Sequence, residues 1–201
     1  AFTFQSQSAI KDEIPRGSLI ITKADTDILV CDVHTEECTR IPAGIRGAAR
    51  ISGDGSRIAT GDGEKIVVVD RISKQIIFSQ SIPHNKGRGG TQFDINWDGT
   101  KVFYLVKISD GDKRLEIRYV SVADGSDHFV YRMKGTTYSE GEFGMSKDEN
   151  RFVFRRDNRA PWSVDVKRDT DDDYDGMCSG SIWPSGTHPG INYLKHERNP
   201  L

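Results

Sequence analysis

No run in this sequence approaches the roughly eighteen consecutive apolar residues that a membrane-spanning helix needs. The longest apolar stretches, such as Ile66-Val67-Val68-Val69, have the length of a strand. No sign of charge dominates: 28 basic and 30 acidic residues leave a formal net charge of −2, without the basic field that draws proteins onto phosphate backbones. Nucleic acid and a membrane span are therefore not expected. Cysteine is scarce, and the three present cannot build a multi-bridge framework. There is no Gly-x-Ser-x-Gly nucleophile elbow, and Cys178 has no adjacent base in sequence. Gly87-Arg88-Gly89-Gly90 precedes a strand-like run instead of opening a helix, so it lacks the helix terminus that phosphate loops use and reads as a linker. No stretch sustains a 3.6-residue apolar period, which predicts little or no helix.

What is present is a repeat of turns. Ile51-Ser52-Gly53-Asp54-Gly55-Ser56-Arg57-Ile58 is echoed by Ile95-Asn96-Trp97-Asp98-Gly99-Thr100-Lys101-Val102. Degenerate copies follow at Met145-Ser146-Lys147-Asp148-Glu149-Asn150-Arg151-Phe152 and at Ile182-Trp183-Pro184-Ser185-Gly186-Thr187-His188. Asp can accept a bond from the backbone two residues on, and Gly takes the positive φ that reverses the chain, so each copy predicts a β-hairpin. The spacing of roughly 40–50 residues is that of propeller blades. Two complete four-stranded units are readable. One runs through Ala48–Ile51, Arg57–Thr60, Ile66–Val69 and Gln75–Phe78; the other through Thr91–Ile95, Lys101–Val106, Leu115–Val120 and His128–Tyr131. A further unit begins at Glu142–Met145, continues through Arg151–Phe154 and Trp162–Val166, and reads as losing its fourth strand in an acidic segment. The first visible unit starts late, with Ser18–Ile21 and Ile28–Val30 resembling second and third strands. Cys31 and Cys38 lie on the two arms of one predicted hairpin, where they face each other either as a disulfide or as two reduced thiols.

The turn with its flanking strands, Ser52-Gly53-Asp54-Gly55-Ser56-Arg57-Ile58 and Ile66-Val67-Val68-Val69-Asp70, resembles the unit of TolB-like and WD-repeat-like β-propellers. The usual turn of that family is Ser-Pro-Asp-Gly; here Gly53, Trp97 and Lys147 stand where that Pro is usual. The resemblance implies an all-β propeller of four-stranded antiparallel blades, about four to five repeats, over residues 17–195. Residues 1–16 are an N-terminal extension or closing strand, and 196–201 a C-terminal tail. Either the N-terminal segment completes the last blade, or the chain is a fragment of a larger propeller. The motif specifies architecture and is nearly silent on activity, since propellers host scaffolds, lyases, hydrolases and binders.

Three groups of residues are candidates for chemistry. Asp169, Asp171, Asp173 and Asp175, followed by Gly176, put alternate carboxylates on a predicted loop that could wrap a hard cation, with calcium the expected ion. Ile182 stands where an EF-hand has its bidentate Glu, so the site is incomplete as such, and a solvated acidic loop is the alternative. Trp97 and Trp183 occupy matching turn positions, which would offer two indole faces to sugar rings; the alternative is packing between blades. His188 and His196 flank one strand-like run and, with rim carboxylates, could equip a cavity. The leading expectation is a non-catalytic module, secreted or periplasmic, that binds a glycan or a protein partner. An N-terminal Ala in place of Met suits the end left by signal cleavage. A polysaccharide lyase or hydrolase with a His/carboxylate cavity is the alternative.

Overall fold

In a computed structural model, residues 19–62, 64–82, 92–107, 114–133, 139–156 and 162–173 are described below. They contain fifteen strands and no helix. Among them, no helix is long and apolar enough to cross a membrane.

The strands form four antiparallel sheets. The first has three strands, β1 (Leu19–Ala24), β2 (Asp27–Asp32) and β3 (Cys38–Pro42). The second has four in chain order, β4 (Ala48–Ile51), β5 (Arg57–Gly61), β6 (Lys65–Asp70) and β7 (Ile76–Ser81). The third runs β8 (Phe93–Ile95), β9 (Lys101–Lys107), β10 (Leu115–Ser121) and β11 (Asp127–Arg132). The fourth runs β12 (Ser139–Met145), β13 (Arg151–Arg156), β14 (Trp162–Asp165) and β15 (Thr170–Asp173). Each is an up-and-down meander in which every strand pairs with its chain neighbour. This is the predicted blade plan, with one correction. The acidic stretch that reads as a lost strand forms the fourth one: Asp171 pairs with Val164 and Asp173 with Trp162.

The reason is visible in the pairing. β14 would otherwise be an unpaired edge, and backbone groups of any residue type can satisfy it. That backbone pairing overrides the low β-propensity of Asp.

Packing follows the period-2 alternation of each strand. On β6, Val67 and Val69 join Ile28, Val30 and Ile41 of the first sheet. Ile66 and Val68 point the other way and join Phe93, Val102, Tyr104 and Val120 of the third. On β9, Phe103 and Leu105 face the fourth sheet, where Phe143, Phe152 and Val164 meet them. Central strands apolar on both faces thus make three cores, each lying between two consecutive sheets, and the sheets touch through their first strands, β4 with β8 and β8 with β12. The last strands are protected edges: β7 is bulged opposite Val68 and Val69, and β11 opposite Ile117 and Arg118.

Cys31 lies directly opposite Cys38, Cα atoms 4.0 Å apart, and the two form a disulfide.

Candidate functional site

The Asp-Gly copies form the same turn three times. In the second sheet, Asp54 Oδ1 accepts the Ser56 amide at 2.9 Å and the Ser52 hydroxyl at 2.6 Å, while Gly55 adopts φ 74°. In the third, Asp98 Oδ1 accepts the Thr100 amide at 3.0 Å and Gly99 adopts φ 71°. In the fourth, Asp148 Oδ1 accepts the Asn150 amide at 3.3 Å and the Ser146 hydroxyl at 2.6 Å, and Glu149 takes the left-handed position with φ 57°. The residue that opens each turn also bonds the amide five residues on: Ser52 with Arg57, Asn96 with Lys101, Ser146 with Arg151.

These turns are joined from sheet to sheet. The Asp54 amide donates to the Trp97 carbonyl at 2.9 Å, and Arg57 reaches the Gly99 carbonyl at 3.0 Å. The Trp97 ring lies so close over Gly53 that a Cβ at Gly53 would overlap its six-membered ring. Lys147 Nζ sits 3.6 Å from the centroid of the same indole. Glu149 accepts from Asn96 Nδ2 at 2.9 Å and pairs with Lys101 Nζ at 2.6 Å. That bond to Glu149 raises the Lys101 pKa. The three positions at which the resembled family has Pro, Gly53, Trp97 and Lys147, are therefore stacked in one row across three sheets.

The last hairpin of each sheet emerges beside this row. The Arg71 amide donates to the Ser56 carbonyl, Val122 to Thr100 and Val166 to Asn150, each within 2.9 Å. These hairpins carry the same device: Asp70 accepts the amides of Ile72 and Ser73, and Asp124 that of Ser126. The carboxylates are consequently held ionised. The Ser146 hydroxyl and Asn150 pull Asp148 down to about 2, and Ser126 does the same for Asp124. At Asp54 and Asp98 partial burial opposes ionisation, but the hydroxyl and amide donors outweigh it. Groups that hold no proton at neutral pH and already accept two donors are poor general acids and poor general bases. What they provide is a fixed, polar surface, a ridge of Asp-capped turns.

Of the residues singled out in the sequence, Trp97 is the one this ridge contains. It is half-buried, with Gly53 against its ring and the Lys147 ammonium over it. Trp183, His188, His196 and Asp175 lie outside the described residues. Asp169 is in the turn before β15, at φ 53°. Asp171 and Asp173 lie on β15, on a strand and not on the predicted loop, and Asp171 accepts from the Tyr131 hydroxyl at 3.2 Å. Among the described residues no group of three or more His, Cys, Asp or Glu is placed to hold a metal ion. His128 stacks on Tyr119, centroids 4.7 Å apart, with Nε2 2.7 Å from Ser126 Oγ. Since that hydroxyl donates to Asp124 at 2.7 Å, it is not activated as a nucleophile by the imidazole.

Glu149 is the functional-looking residue that sequence reading missed. Its signal was present: an acid stands at the Gly position of a turn whose neighbouring copy is followed by Lys101.

Four antiparallel sheets packed face to face and joined through their first strands make this an all-β protein of propeller type. Among solved structures it is similar to TolB from Acinetobacter baumannii, a β-propeller protein, with a TM-score of 0.55 and 17% sequence identity. The likeness covers 77% of this chain and 39% of that one, so the chain spans well under half the length of that structure. No family model and no curated protein matches the sequence.

Proposed function

We propose that this chain is a non-catalytic, extracytoplasmic propeller module that recognises a protein partner through the ridge of Asp-capped turns. The observation that carries the reading is the tying of Gly53, Trp97 and Lys147 into one row, with Asp54, Asp98 and Asp148 exposed beside it. Such a surface is pre-organised, so little side-chain and loop entropy is lost when a partner docks. A protein is favoured over a glycan because the Trp97 indole, the anchor a sugar would need, is taken up by Gly53 and Lys147. The Cys31–Cys38 disulfide supports an oxidising compartment, the periplasm or the exterior.

A photo-reactive residue introduced at Asp54 or Asp98 tests this in cells that make the protein. A discrete protein adduct is expected from these positions, and none from Asp62, in the hairpin between β5 and β6. Equal adducts from all three positions, or sugar binding on a glycan array that is lost in Trp97→Ala, would replace the reading by a non-specific surface or by the glycan alternative.

Calcium belongs to the proposal as a ligand of the acidic stretch 169–175, where Asp171 and Asp173 occupy alternate positions of β15. A melting temperature raised by calcium and lowered by chelator supports it; superimposed curves remove it.

A further inference from the structure

The Cys31–Cys38 hairpin has two sisters in the same chain that do without a disulfide. In the first sheet the Asp32 amide donates to the Glu37 carbonyl and the Glu36 amide to the Asp32 carbonyl, both at 3.0 Å, with Glu36 at φ 61°. In the second, Asp70 with Gln75 and Lys74 with Asp70 repeat the pattern at 2.9 and 2.8 Å, with Lys74 at φ 61°. In the third, Ser121 with Ser126 and Gly125 with Ser121 repeat it again, both at 2.9 Å, with Gly125 at φ 74°. The pairs equivalent to Cys31 and Cys38 are Val69 with Ile76 and Val120 with Asp127. Asp32 also caps its turn as Asp70 does, accepting the amides of His34 and Thr35 at 2.8 and 2.9 Å. The same backbone thus forms with three different pairs at one position, and the cross-link is not what makes the turn.

The three pairs differ in what covers them. Val69 and Val120 are fully buried against the preceding sheet. Cys31 lies on the corresponding face of the first sheet, which no other sheet of the described residues covers. Its cross-strand neighbour Ile20 is 56% exposed there, and Cys38 is exposed, as are Thr35, Glu36 and Glu37 before it.

We infer that Cys31–Cys38 is a reversible redox site, open to a dithiol reductant in the folded protein. A thiolate of the reductant bonds to Sγ of Cys38, the more exposed residue of the pair; the Cys31–Cys38 bond breaks, and Cys31 leaves as thiolate. The second thiol of the reductant then displaces Cys38. The reductant ends as its own disulfide, two electrons pass to the pair, and the two released thiolates take up protons. The hairpin stays folded throughout, since its sisters are folded without a bridge.

The test uses the full chain carrying Cys178→Ser, oxidised, without denaturant, with dithiothreitol as reductant and alkylation mass as readout. Expected are two alkylated cysteines, an unchanged far-UV dichroism spectrum and return of the bridge on reoxidation. A dithiol protein stripped of its resolving cysteine should form a mixed disulfide that maps to Cys38. The double variant Cys31→Val with Cys38→Ile, which installs the pair of the second sheet, should fold like the parent. Alkylation that requires denaturant, loss of the spectrum on reduction, a mixed disulfide mapping to Cys31, or free thiols in the oxidised preparation would overturn the inference.

Discussion

Gly53 and Trp97, 44 residues apart in sequence as the difference of their numbers, are a matched pair: the indole of one sheet lies where a side chain on the neighbouring turn would have to be. The substitution Gly53→Ala should therefore destabilise by about 1–3 kcal/mol, the usual range for overpacking. Trp97→Ala should cost a comparable amount, below the roughly 3–5 kcal/mol of a fully buried aromatic, because Trp97 is half-buried. In the double variant the two losses should not add, since without the indole the new methyl group has room. A denaturant double-mutant cycle reads this coupling, and additive losses would separate the two residues.

Glu149 stands in left-handed backbone, which costs a non-glycine residue roughly 1–2 kcal/mol, and in return bonds Asn96 and Lys101. Glu149→Gly removes both terms, so its net effect should be small. Glu149→Ala keeps the strain and loses the bonds, and should be the more destabilising of the two by roughly 1 kcal/mol. Urea midpoints for the two variants check the order; the reverse order would mean that the left-handed backbone at position 149 costs a side chain nothing.

Acid should loosen the ridge within a defined window. Asp124 and Asp148 are held at about 2, below the ordinary 3.8. A depressed carboxylate pKa contributes stability that is fully present above the unfolded value and is lost as pH falls through the folded one. The melting temperature is thus expected to hold from neutral pH to about 4 and to decline between about 4 and 2. In Asp148→Asn that decline should be shallower. A decline centred on pH 6 would point to histidine and away from these caps.

The sheets could be read from the sequence because their signals are local. Asp54-Gly55 and Asp98-Gly99 each encode a turn in two residues, and Ile66-Val67-Val68-Val69 encodes a strand apolar on both faces, which is a strand between two layers. β15 was not legible, because Thr170-Asp171-Asp172-Asp173 carries no apolar pattern and is a strand only through its pairing with β14. The ridge was half legible. The matching turn positions of Gly53, Trp97 and Lys147 show in the repeat, but whether Trp97 faces solvent or a neighbouring turn depends on the distance between sheets, which no local pattern contains. The degenerate fourth-sheet turn was misleading for a similar reason: Glu149 in place of Gly looks like decay until its partners from another sheet are known.

Hydrogen exchange at single amides tests most directly whether the turns form one rigid surface. The Asp54 amide donates to the Trp97 carbonyl across two sheets, while those of Thr100 and Asn150 donate to turn carboxylates. All three should exchange slowly in the native protein; Trp97→Ala keeps the carbonyl but removes the indole packed on Gly53 that holds the two turns together, so the protection of Asp54 should fall while that of Asn150 persists. Rapid exchange at all three in the parent protein, as in independent solvated loops, would contradict a continuous ridge and the recognition surface built on it.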